Sequence, residues 1–103
     1  MRNYRDAPEK GELVVIEIDD INPHSVYATL EAFPDVEGMI HISEVSRSWV
    51  RDIKKHLNEG EKTVAQVIEE EDDSGTVTLS LKRVNDKQKR ETMQAWKKEQ
   101  KAE

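Results

Sequence analysis

The sequence predicts a mainly β domain: a five-stranded OB-fold barrel with a helix between strands 3 and 4, followed by a C-terminal helix. Three observations lead there. Five short stretches rich in β-branched residues are separated by turn signals. One segment between the third and fourth stretches carries apolar residues at helical spacing. The order of three strands, a helix and two strands is the OB-fold order, and closing the sheet removes the edges an open one would expose.

The first strand is read over 11–21 (GELVVIEIDDI), where Leu13, Val14, Val15, Ile16 and Ile18 dominate. Asn22-Pro23 marks a turn. The second strand, His24 to Leu30, alternates: Val26, Ala28 and Leu30 share one face, and Tyr27 and Thr29 the other. Phe33-Pro34-Asp35 is expected to break the chain before a third strand over Glu37 to Ile42. There Ile40 and Ile42 should point inward, and Met39 and His41 outward. The fourth strand is placed at Lys62 to Glu70 and the fifth at Thr76 to Leu81, joined by the turn Asp72-Asp73-Ser74-Gly75. In the fifth, Val77, Leu79 and Leu81 should face in, and Thr76, Thr78 and Ser80 out.

The intervening helix is expected over Ser46 to Leu57, because Val50, Ile53 and Leu57 fall on one helical face. Ser46 would cap it by accepting an orphan N–H of the first turn, and Gly60 suits the exit. The last stretch, Asn85 to Ala102, holds many helix formers and no Gly or Pro, with Asn85 or Asp86 as cap. Its apolar residues, Met93, Ala95 and Trp96, are too few for a core. They must pack on the barrel or await a domain beyond.

The chain has 103 residues, 35% apolar and 37% charged, enough for one lean domain with an extension. Without cysteine there are no disulfides or thiolate metal sites, and an intracellular setting is the easier reading. MRNYRDAPEKGE lacks the apolar core of a signal peptide, and no apolar run is long enough for a membrane helix. The net charge of -6 is uneven: residues 1–84 hold 10 Lys/Arg against 18 Asp/Glu, and residues 85–103 hold 6 against 4. An acidic body repels phosphate backbones, so any nucleic-acid contact has to be local or assisted by partners.

Catalysis finds little support. His24, His41 and His56 sit on separate elements without metal-ligand spacing. Ser43 and Ser46 have no base partner, and no glycine-rich phosphate loop is present. No cofactor is expected. The acidic run Glu69 to Asp73 reads as a solvated turn. A binding face is better supported, since Tyr27 and His41 on neighbouring outer strand faces can stack on bases.

GELVVIEI, EGMIHISEVS, GTVTLSLKRVN and AWKKEQ, in this order, resemble the N-terminal part of the alpha subunit of archaeal translation initiation factor 2, over essentially the whole chain. Glu37 to Glu44 alone would indicate only an S1-like RNA-binding domain. Ser43-Glu44-Val45-Ser46, Trp49-Val50 and Ser80 to Asn85 narrow the match. The resemblance implies an S1-like barrel over residues 1–84 and a truncated start of a helical second domain over 85–103. It implies a non-catalytic, cytoplasmic module without membrane contact that helps deliver initiator methionyl-tRNA. The partners would be initiator tRNA, mRNA and the small ribosomal subunit, with the gamma subunit bound through a C-terminal domain absent here.

The base-facing positions of S1-like domains correspond to His24, Tyr27, His41, Asp72 and Thr76, so one aromatic is kept and a basic residue is lost. Arg47, Arg51, Lys54, Lys55, Lys82 and Arg83 are then the cations left to meet RNA phosphates. Ser46 matches the serine that stress kinases phosphorylate in eukaryotic relatives and is the candidate phosphoacceptor, although Trp49 stands where those relatives carry charge. Two other readings fit the same residues: a generic S1-like domain of an RNA-processing protein, and a kinase-docking regulatory module.

Overall fold

The computed structural model describes residues 7–100. The first six residues of the N-terminal stretch and the end of the expected last helix, 101–102, lie outside the described residues. Strands β1 (Leu13–Ile21), β2 (Ser25–Leu30), β3 (Phe33–His41), β4 (Lys62–Glu69) and β5 (Thr76–Ser80) form a closed barrel in the order β1-β2-β3-β5-β4, and helix α1 spans Asp86–Gln100. All pairings are antiparallel except β3 with β5, which runs parallel from Glu37 opposite Thr76 to Ile40 opposite Leu79. This is the expected barrel.

Alternation decides what faces inward. Val26, Ala28 and Leu30 of β2, Ile40 of β3, and Val77 and Leu79 of β5 are fully or almost fully buried in one core with Ile16, Ile18 and Val67. On the outer face of β1 and β4, Val15 pairs with Val64 and both are buried. Helix α1 contacts these two strands, so the helix supplies the cover their outer face needs. Met93 and Trp96 are half-buried, and the Trp96 ring lies 5.7 Å from the Lys62 ammonium. Met93 and Trp96 are thus the apolar residues that α1 partly buries, and Ala95 is exposed. Asn85 is the cap: its Oδ1 accepts from the Gln88 amide at 2.7 Å, and Gln88 Oε1 accepts from the Asn85 amide at 3.0 Å. This is a reciprocal capping box.

Three local expectations are corrected. No α-helix forms over Ser46 to Leu57; two 3-10 turns stand in the connection instead, at Ile42–Glu44 and Ile53–Lys55. Val50, Ile53 and Leu57 are buried as the spacing required, but side chains capture the local amides. Ser46 Oγ accepts from the Ser48 amide at 3.2 Å, and Asp52 Oδ1 from the Lys54 amide at 3.1 Å. Such bonds compete with helical ones. Ser46 therefore closes a serine turn and caps no helix. Secondly, β3 begins at Phe33, so Phe33-Pro34-Asp35 opens the strand instead of breaking the chain. Pro34 is exposed near the strand's start, where a missing donor is tolerated. Thirdly, Ser80 does not face solvent. It is fully buried, and its hydroxyl donates to Glu44 Oε1 at 2.7 Å.

Candidate nucleic-acid interface

Two surfaces can be built from the predicted residues. The first is the outer face of β2 and β3. Tyr27 lies opposite Met39 on β3 and opposite Asp20 on β1; His41 lies opposite Ser25, diagonal to Tyr27. Tyr27 is half-buried and His41 exposed, both on the outer face as the alternation required. The Ser43 amide donates to His41 Nδ1 at 3.1 Å, and Ser43 Oγ lies 2.9 Å from the same nitrogen. That bond fixes Nδ1 as the acceptor, so a neutral ring carries its proton on Nε2. Around these rings stand carboxylates. Asp20 flanks Tyr27, Glu37 faces Thr29, and Asp19 accepts a bond from the Thr29 hydroxyl.

Asp72 takes a structural part. Its Oδ1 accepts from the Ser74 hydroxyl at 2.7 Å and from the Ser74 and Thr76 amides at 2.9 and 3.0 Å. The Ser74 hydroxyl first, and then the Thr76 amide, hold its carboxyl below the usual aspartate value. These bonds shape the β4–β5 turn, in which Gly75 adopts φ +83°.

The second surface is a cleft of about 710 Å³ beside the β3–β4 connection. Arg47, Arg51, Lys82, Trp49 and Ser46 line it, with His24 and Pro23 from the β1–β2 turn opposite. Trp49 is 79% exposed and alone among the described large hydrophobic side chains in being so. The Arg51 guanidinium sits 5.4 Å from its ring centroid, a cation–π distance. Arg47 Nε donates to the Lys82 carbonyl at 3.2 Å, fixing the arginine against the end of β5. Lys54 shares an adjoining hollow of about 300 Å³ with Arg51 and Asp52.

The predicted cations therefore divide. Arg47, Arg51 and Lys82 share one cleft and Lys54 adjoins it. Lys55 is exposed outside both, and Arg83 lines a separate groove with Lys10 and Gln66. Glu44 offsets part of the charge, 4.0 Å from Lys82 Nζ and 3.7 Å from Arg83 Nε. Sequence reasoning missed Trp49 as a contributor. The available signal was its place outside the Val50-Ile53-Leu57 stripe, between two arginines. Among the described residues, no group of three or more His, Asp or Glu gathers as a metal site, and no helix is long and apolar enough to cross a membrane.

Residues 7–82 match the S1 RNA binding domain family. The chain is 44% identical over 102 residues to the translation initiation factor 2 subunit alpha of Thermococcus kodakarensis, covering 99% of this chain and 37% of that protein. Its fold matches the intact alpha subunit of aIF2 from Pyrococcus abyssi with a TM-score of 0.89 and 40% identity, over 94% of this chain and 37% of that one. It also matches a chain of the a/eIF2alpha-aDim2p-rRNA complex from Pyrococcus horikoshii, with a TM-score of 0.84 and 41% identity, over 91% and 56% of the two chains. The chain thus spans under half the length of the curated relatives. With its barrel closed in the order described and the family match running from Ala7 to Lys82, this chain belongs to the S1 RNA-binding domain family.

Proposed function

We propose that this chain is the RNA-contacting barrel of an archaeal-type translation initiation factor 2 alpha subunit. It would be non-catalytic and cytoplasmic, helping to deliver initiator methionyl-tRNA to the small ribosomal subunit. The observation that carries the RNA part is the cleft where Arg47, Arg51 and Lys82 gather beside an exposed tryptophan on an otherwise acidic domain. The likeness to archaeal alpha subunits over 99% of this chain, though 37% of theirs, supports the rest. Initiator tRNA, mRNA and the small ribosomal subunit are the assigned partners. The gamma subunit would be held by parts of the relatives that this chain does not span. In this reading residues 1–84 are the S1-like barrel, and residues 85–103 begin a helical second domain.

The candidates for RNA contact form two surfaces: the cations Arg47, Arg51, Lys54, Lys55, Lys82 and Arg83 in and around the cleft, and the rings Tyr27 and His41 on the strand faces as the alternative. Because the domain as a whole is acidic, its own affinity should be weak and strongly salt-dependent. Titrating labelled protein with short single-stranded RNA should give weak amide shifts, confined to one of these two surfaces and erased by salt. No shifts at low salt would refute RNA contact. Tight, salt-resistant binding would instead favour a self-sufficient S1 domain of an RNA-processing protein.

The cleft also supports a second reading, since Ser46 shares it with Arg47 and Arg51, and cations stabilise a phosphoserine. Phosphate on Ser46 after incubation with a kinase of the family that acts on the eukaryotic alpha subunit would support a docking role. Its absence would count against one.

A further inference from the structure

We infer that RNA enters this domain single-stranded along the β3–β4 connection and not across the outer face of the strands. One base lies on the indole of Trp49, and the neighbouring phosphates meet Arg47, Arg51 and Lys82. This rests on the reading that the chain binds RNA and names where and in what form.

The charge distribution separates the two surfaces. Between Lys10 and Arg47 the chain has no lysine or arginine, yet it has eight Asp and Glu. That interval holds all of β1, β2 and β3, so Tyr27 and His41 stand on strands without a single cation of that kind. β5 adds none, its residues being Thr76 to Ser80. A phosphate drawn toward Tyr27 would approach Asp20, with Glu37 on the next row of β3. Rings there can stack on a base, but the strands that carry them supply no lysine or arginine for the backbone, and the cationic cleft begins only beyond His41, at Ile42 and Ser43.

The cleft offers both parts of single-strand recognition, cations along a groove and an aromatic platform. Trp49 is exposed, while its neighbour Val50 is buried in the core. Arg51 lies over the indole ring at 5.4 Å, and the ring is exposed enough to offer a base its remaining surface. Arg47 is anchored through the Lys82 carbonyl, which ties two of the cations to one wall. Two carboxylates stand near: Asp52 lines the adjoining hollow, where it accepts the Lys54 amide, and Glu44 lies 4.0 Å from Lys82 Nζ and offsets part of that one charge. The preference for a single strand follows from the ring, since a base paired in a helix cannot present its face to it.

The test uses a Trp96→Phe background, so that Trp49 alone reports, and an oligouridylate of eight nucleotides as the probe. Titration at low salt should quench Trp49 emission. Affinity, read by anisotropy of labelled RNA, should fall about tenfold in Trp49→Ala, as loss of one stacked base predicts. Arg51→Ala should weaken it severalfold, while Tyr27→Ala and His41→Ala should change it less than twofold. The logarithmic salt slope should be about -2, as for three phosphates on a single strand. If Tyr27→Ala or His41→Ala abolishes binding and Trp49→Ala leaves it intact, the placement is wrong and RNA binding stands. If the parent protein does not bind the probe at low salt, both readings fall. Equal or tighter binding of a duplex would overturn the single-strand assignment.

Discussion

The buried hydroxyl of Ser80 donates to the carboxylate of Glu44 at 2.7 Å, joining the end of β5 to the 3-10 turn that follows β3. The backbone repeats the link, because the Leu81 and Lys82 amides both donate to the Glu44 carbonyl, at 2.9 and 3.0 Å. Glu44 thereby holds the end of β5, and with it Lys82 of the cleft, against this turn. Ser80→Ala should cost about 1.5–2 kcal/mol, the lower part of the range for a hydrogen bond to a charged group. Glu44→Ala should cost more, about 2–3 kcal/mol, because it also strands the buried hydroxyl. Urea midpoints of the two variants check the order.

Gly38 lies inside the core wall of β3. A Cβ there would stand 2.7 Å from Leu79 Cδ1 and 2.8 Å from Leu30 Cδ1, and both leucines are fully buried. The leucines have to move, so Gly38→Ala should destabilise by about 1–3 kcal/mol, as overpacking does. For a domain of this size that is a fall of about 4 °C or more in Tm. Gly38→Val should fall further in a thermal scan.

Lys62 Nζ is 2.9 Å from both Glu17 Oε1 and Glu31 Oε2. The bond to Glu17, and then that to Glu31, raises its pKa above the ordinary lysine value. Its stabilisation is complete below the ordinary value and is lost as pH climbs through the raised one. Lys62→Met should therefore remove part of the alkaline loss of stability. Urea midpoints from pH 7 to 11 test this.

Asp72 has the opposite sign. Its carboxyl is held down by the Ser74 hydroxyl and the Thr76 amide, so its contribution is present above the ordinary aspartate value and lost as pH falls through the lowered one. Amide exchange at Ser74 and Thr76 should accelerate in acid, relative to the barrel core, in the parent protein. In Asp72→Asn this acid sensitivity should disappear.

Replacing Asn85 by Ala removes the half of the capping box in which its Oδ1 accepts from the Gln88 amide, and leaves the bond from its own amide to Gln88 Oε1. The helix should lose about 1 kcal/mol. Protection of its first-turn amides against exchange should drop before that of β1 or β4.

The barrel was legible because its signal is binary. Val26, Ala28 and Leu30 alternate with Ser25, Tyr27 and Thr29, and burial follows that pattern residue by residue. The connection was legible only in part. The spacing of Val50, Ile53 and Leu57 correctly gave what is buried but not the backbone that buries it, because Ser46 and Asp52 bond to nearby amides. Ser80 was misplaced for a related reason. Strand parity puts it outside the barrel, and only the folded position of Glu44, distant in sequence, covers that outside. The cleft depends on the same kind of distant contact. Arg47 and Lys82 meet only when the β3 exit and the β5 end lie side by side.

The parallel pairing of β3 with β5 has a consequence for the order in which the molecule comes into being. The strand that seals the barrel is the last strand synthesised. Until Thr76 to Ser80 emerge, β3 and β4 each keep a bare edge, and the inner faces of Ile40 and Val67 have no partner in Leu79. A nascent chain halted before Thr76 is thus an open, sticky sheet. Completion requires a contact between segments far apart in the chain, the kind that forms slowly. The cleft is closed by the residues that immediately follow, so Lys82 reaches Arg47 only after the seal is made.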